Sequence, residues 1–102
     1  MTRILYFAAN RKRAMEWAQE YNGKAFIGSM NQPSLGTMID RFRTGEYERF
    51  AVVAEAAGTG WSINDPHGDI QVIIDPEISA DSALRLQCLA RIRKPNLGLA
   101  KN

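Results

Sequence analysis

The sequence predicts an α/β fold, a three-layer arrangement in which a parallel sheet carries helices on both faces. Two observations lead there. Short apolar runs of strand length alternate with segments whose apolar residues recur at helical spacing, and strand, helix, strand in succession implies parallel strands joined by right-handed crossovers. A third observation is size: 102 residues suit one domain, expected over 1–102, with a radius of gyration of about 13 Å.

Arg3 to Ala8 is aliphatic and aromatic, too short for a helix and closed by Asn10, so it reads as a buried strand. Asn10 then serves as N-cap for a helix whose Ala14, Trp17, Ala18 and Tyr21 share a face, and Gly23 suits a left-handed stop. Lys24 to Gly28 forms a second strand. Pro33 fits the first turn of the next helix, where Leu35, Met38, Ile39 and Phe42 make an i, i+3, i+4, i+7 stripe ended by Gly45. Phe50 to Glu55 is a third strand. Ile70 to Asp75 is a fourth, β-branched at alternating positions on both sides as in a strand covered on both faces. The last helix is expected to begin at Ser79, with Asp81 in its first turn, and to stop before Pro95, leaving 95–102 as a short basic tail.

Composition excludes several classes. Hydrophobic residues at 45% and charged residues at 24% are those of an ordinary globular chain. No apolar run approaches the roughly 20 residues of a membrane-spanning helix, so no membrane partner is expected. Ile4 to Ala9 followed by Arg11-Lys12-Arg13 reverses the charge order of a secretory signal. The one cysteine, Cys88, cannot form an internal disulfide, which fits a reducing, cytoplasmic setting. Net charge is +2, but residues 1–24 carry +3, residues 25–84 carry −6 and residues 85–102 carry +5. Basic ends on a small domain can focus a field on a polyanion; a merely solvated basic surface is the simpler alternative.

In parallel sheets the working residues lie in loops beyond the carboxyl ends of the strands. Those loops hold the candidates. In Ala54–Asn64, Gly58, Thr59, Gly60 and Ser62 can bring backbone N–H groups and hydroxyls to a phosphate, or simply make a tight connection. Trp61 can stack on a base or plug the core. Arg11, Lys12 and Arg13 open a helix, where cations oppose its dipole, and contact with phosphates would account for that; simple surface exposure also would. On the last helix, Gln87, Arg91 and Lys94 fall at i, i+4 and i+7 and would form one polar stripe, with Arg85 and Arg93 elsewhere on that helix. Asp65, His67 and Asp69 alternate as metal ligands can, but turn chemistry accounts for the aspartates, so no metal is expected. Cys88 lacks a base partner and reads as a packing residue. The phosphate loop G-x-x-x-x-G-K-[ST] is missing, since Gly23-Lys24 is followed by Ala25. Val72-Ile73-Ile74-Asp75 imitates a strand-end magnesium acid without that loop.

Taken in order, these segments resemble the second RecA-like domain of superfamily 2 helicases, and the phage-type repair helicases most. The resemblance covers residues 3–94. Arg3–Ala14 resembles the motif IV region, Phe26-Ile27-Gly28-Ser29-Met30 the "hGsm" strand end, Ile39–Gly45 the "FrsGe" helix end, Thr59-Gly60-Trp61-Ser62-Ile63 the "TGiSi" form of motif V, and Leu86–Lys94 motif VI, "QxxGRxxR". Three positions depart: Ala54 replaces the motif V threonine, Ala90 the motif VI glycine, and Arg93 falls one residue early with Lys94 in the second arginine's place. Lysine cannot reproduce the planar guanidinium fork.

The resemblance implies nucleic-acid contacts, DNA more than RNA, at Arg11, Lys12, Arg13, Gly28, Ser29, Gly58, Thr59, Gly60 and Ser62, and a degenerate motif VI at Gln87, Arg91, Arg93 and Lys94. It implies no self-sufficient enzyme, because such sites lie between two domains. ATP would bind only at an interface with a partner domain, and no other cofactor is implied. Two functions are expected. One is a stand-alone accessory domain, in a bacterial or phage-infected cell, that binds nucleic acid or completes a split helicase with a helicase, ATPase or nuclease partner. The alternative is a non-catalytic protein-interaction module, a decoy or regulator of a helicase or nuclease, or a homodimer.

Overall fold

A computed structural model describes residues 3–28, 32–59, 62–65, 68–78 and 82–93. The chain is α/β. Strands β1 (Arg3–Ala8), β2 (Lys24–Phe26), β3 (Arg49–Val53) and β5 (Ile70–Ile74) form a four-stranded parallel sheet in the order β2-β3-β1-β5. Helices α1 (Arg11–Tyr21) and α2 (Leu35–Arg43) connect the first three strands. After β3 come a 3-10 helix over Ala54–Thr59, the short β4 (Ile63–Asn64), β5, helix α3 (Ala83–Ala90) and β6 (Ile92–Arg93). β4 and β6 pair in parallel as a separate two-stranded unit.

Side-chain alternation along β1 assigns the helix layers. Tyr6 stacks on Trp17 of α1, with ring centroids 4.9 Å apart and planes 11° from parallel. Arg3, on the other face, lies over the Phe42 ring of α2 and donates to the carbonyls of Phe42 and Arg43 at 2.6 and 2.9 Å. Residues of odd and even number point to opposite faces of a strand, so α1 and α2 cover opposite faces of the sheet. Leu5, Phe7, Phe42, Phe50 and Val52 are fully buried in this core. The Cα radius of gyration is 13.3 Å, close to the value expected from length.

Helix ends follow local chemistry, with some shifts from the expected positions. Asn10 caps α1 by accepting from the Arg13 N–H at 2.9 Å. The left-handed residue after α1 is Asn22 (φ 59°), not Gly23. Gly23 is needed for another reason: a Cβ there would stand 2.5 Å from the Arg49 carbonyl oxygen on β3. Pro33 lies outside α2, whose N-cap is Ser34, accepting from the Thr37 N–H at 3.2 Å. Gly45 does end α2 in the left-handed region (φ 88°): Gly45 N–H donates to Phe42 and Glu46 N–H to Arg41, the paired bonds of a Schellman stop.

The strand ends also shift. β2 stops at Phe26, and Gln32 stands in for a strand neighbour on its outer side: its Oε1 accepts from Ile27 N–H and its Nε2 donates to the Ala25 carbonyl. β3 ends at Val53, and Glu55 belongs to the 3-10 helix. β5 begins where buried Asp65 accepts from the N–H groups of Asp69 and Ile70 at 2.8 and 3.0 Å. It lies at an edge of the sheet, and only Ile70 of its five residues is buried.

The largest correction concerns the last helix. α3 is capped by Ser82 and ends at Ala90, so it does not begin at Ser79; Ser79 and Asp81 lie outside the described residues. Beyond Arg91 the backbone extends, because Ile92 pairs with Ile63 and both side chains are buried. A continued helix would forfeit that burial and the bond from Ile63 N–H to the Arg91 carbonyl at 2.8 Å. Among the described residues no helix is long and apolar enough to cross a membrane.

Candidate nucleic-acid interface

All four main strands run parallel, so their carboxyl ends share one edge. That edge receives the first turn of α1, the loop after β2, the 3-10 helix after β3 and Asp75 after β5. Strand order turns back at β1: the chain leaves it for β2, returns to β3 at its side, and later places β5 on its other side. Ligand sites in open parallel sheets form at such reversals.

The Asn10 cap fixes Arg11, Lys12 and Arg13 in the first turn of α1, and the structure separates their roles. Arg11 and Lys12 are exposed. Gly28 turns through φ 77°, and a Cβ on it would lie 3.9 Å from Arg11 Nη2, so the loop after β2 runs beside that guanidinium. Gln32 ties this loop back to β2. Ser29 lies outside the described residues.

Arg13 turns inward. Its Nε donates to Asp75 Oδ2 and approaches Glu77 at 3.1 Å. Asp75 is fully buried, and Oδ2 also accepts from Ala9 N–H and Oδ1 from Glu77 N–H, both at 3.0 Å. The Tyr6 hydroxyl also acts on this carboxylate, favouring its charged form. Burial alone would raise the Asp75 pKa, but the guanidinium and the converging N–H groups outweigh it and hold the carboxyl below its ordinary value. Burial, then the neighbouring carboxylate, push the Tyr6 hydroxyl up, and Asp75 raises the Arg13 guanidinium further. Asp75 ties β5 to the start of α1 across β1, a role its likeness to a magnesium acid does not reveal.

Gly58 and Thr59 belong to the last turn of the 3-10 helix, while Gly60 and Trp61 lie outside the described residues. Ser62 is exposed just before β4. α3 packs against the 3-10 helix; small, buried Ala54 and Ala56 line that connection, and Cys88 is fully buried on α3. Burial pushes the Cys88 thiol up to about 11, with Arg91 and Arg85 acting against the rise. A thiol so shifted packs and does not attack. Because α3 ends at Ala90, the polar stripe of Gln87, Arg91 and Lys94 does not form. Gln87 is exposed on the helix, half-buried Arg91 is its C-cap, Arg93 belongs to β6, and Lys94 lies outside the described residues.

No known family, curated protein or solved structure matches this chain. The site therefore rests on its own geometry. Among the described residues no group of three or more His, Cys, Asp or Glu side chains is placed to hold a metal ion, and His67 lies outside them. A groove of about 390 Å³ opens at the opposite, amino edge of the sheet, between Asn22, Lys24, Gly45, Glu48 and Arg49. A smaller cleft, about 150 Å³, lies between Tyr6, Arg13, Glu16, Trp17 and Glu20. Its two glutamates disfavour a phosphate there.

Proposed function

We propose that this chain is a stand-alone helicase-like accessory domain of RecA-like type that binds nucleic acid along the carboxyl edge of its sheet and has no nucleotide hydrolysis of its own. One observation carries the reading: exposed Arg11 stands beside the left-handed turn at Gly28, with exposed Lys12 next to it in the first turn of α1, on the edge where parallel sheets place ligands. Long flexible cations next to an open backbone turn suit the phosphates of a polyanion, DNA in the first instance, without base readout. Gly58, Thr59 and Ser62, on the connection leaving β3, would extend the contact.

Oligonucleotide titration at several salt concentrations tests this. Binding should weaken steeply with salt, and Arg11→Ala and Lys12→Ala should each reduce the slope of log K against log salt by about 0.7 to 0.9, the share of one phosphate contact. Salt-independent or undetectable binding at low ionic strength sinks the proposal.

A second reading, a protein-interaction module that regulates a helicase or nuclease, is favoured by exposed Leu86 and Leu89 on α3, which present apolar surface to solvent. Affinity capture with and without nuclease separates the two. A protein partner that survives nuclease supports the module, and loss of all captured material supports direct nucleic-acid binding. Completion of a split helicase would place Arg91 toward a partner's nucleotide. ATP turnover by the mixture, lost with Arg91→Ala while the purified chain alone is inactive, is the outcome expected of that version.

A further inference from the structure

The two edges of the main sheet are built differently. β2 is three residues long and begins with exposed Lys24, a short charged edge of the kind that resists pairing. β5, at the other edge, is Ile-Gln-Val-Ile-Ile, with no charge, proline or glycine, and among the described residues it pairs with β1 alone.

The direction of its backbone groups follows from the ladder. At one end Arg3 N–H donates to the Asp69 carbonyl, and at the other Asp75 N–H donates to the Phe7 carbonyl, both at 2.9 Å. Both ends use odd-numbered residues of the β5 side, so alternation turns the N–H and C=O of Ile70, Val72 and Ile74 away from β1. The bond from Ile70 N–H to the Asp65 carboxylate shows that outward direction. This leaves Val72 and Ile74 with both backbone groups facing outward. The window closes at Ile70, whose N–H Asp65 holds, and at Pro76, which has none.

We infer that β5 pairs antiparallel with β5 of a second copy of this chain, making a two-fold dimer with a continuous eight-stranded sheet. Centred on Ile73, the pairing sets Val72 opposite Ile74 of the second copy and Ile74 opposite its Val72, each pair exchanging both hydrogen bonds. Ile70 then meets Pro76 of the second copy. Neither brings an unpaired N–H to that position, so the two limits of the window coincide in this register. The five strand residues carry no charge, so no like-charge pair arises within the strand. A strand this short supplies only part of the roughly 1,600 Å² of a standard interface, which makes the dimer concentration-dependent.

Sedimentation velocity across a wide concentration range should show the 11.4 kDa monomer giving way to twice that mass. Val72→Pro removes an outward N–H and no bond to β1, and edge strands tolerate proline at such positions. It should stay folded by circular dichroism and remain monomeric, while binding a short oligonucleotide as the wild type does, because the carboxyl edge is untouched. A wild type that is monomeric throughout, or a folded Val72→Pro that dimerises like the wild type, overturns the inference. Should that variant fail to fold, wild-type hydrogen exchange decides: amide protection at Val72 and Ile74 must rise with protein concentration, and protection independent of concentration overturns it.

Discussion

Asp75 shows how one side chain is shaped by residues far away in sequence. Its carboxylate is bound by Arg13, Ala9 and Glu77, and its lowered pKa sets the sign of a pH effect. A carboxylate depressed in the folded state contributes stability at pH above its unfolded value, about 3.9, and that contribution is lost as pH falls through the folded value. Denaturant midpoints should therefore be level from neutral pH down to mildly acidic conditions and fall below about pH 4. Asp75→Asn should cost on the order of 3 kcal/mol at neutral pH, the low end for a broken buried pair because Arg13 keeps part of its side chain in water, and should flatten that acid limb. An unchanged midpoint in urea would show that the cluster is not structural. Gly23 makes a second test at this scale. Gly23→Ala places a methyl group against the backbone of Arg49, which cannot rotate away, so a loss of about 1–3 kcal/mol is expected in the same assay. Asn22→Gly, at the left-handed position itself, should be nearly neutral or slightly stabilising.

At the scale of elements, periodicity was a sound guide where an element is amphipathic by itself. The stripe Leu35, Met38, Ile39 and Phe42 and the stop at Gly45 are what α2 uses, because both signals act within a few residues. Arg3 to Ala8 and Ile70 to Asp75 stand out as β-branched or aromatic runs for the same reason, although β5 itself ends at Ile74. The last helix did not yield to such reasoning. Leu86, Gln87, Leu89, Ala90 and Arg91 are all compatible with a helix running on toward Pro95, and nothing local says that Ile92 belongs to a strand. Its partner, Ile63, is 29 residues away, and burying both isoleucines decides the matter. The same difficulty hid Gln32, whose amide substitutes for a strand neighbour on β2. Gln32→Ala should leave the core intact but speed amide exchange at Ile27, a local effect with little change in overall stability.

For the whole molecule, the parallel sheet converts scattered sequence candidates into one edge. Arg11, Lys12, Gly28 and the connection leaving β3 are distant in the chain and gather only because every strand points the same way. The nucleic-acid reading and the dimer inference use different edges, so they separate cleanly by experiment. A two-fold dimer through β5 would also double the number of cationic edges on one particle. If both hold, the wild type should bind a long oligonucleotide more tightly than Val72→Pro does, while the two bind a short one equally, an avidity effect without new contacts.

The sequence by itself determined the alternation of strands and helices, the α/β class, the caps at Asn10 and Gly45, and the cations that open α1, because each depends on chemistry within a turn or two of the chain. Only the tertiary structure decided that Arg13 faces Asp75 while Arg11 and Lys12 face solvent, that Gly23 makes room for β3, that α3 stops at Ala90, and that β5 lies at an edge of the main sheet. Those outcomes depend on which segments meet across the fold, and burial and hydrogen-bond satisfaction between distant residues outweigh the small local preferences that a sequence reveals.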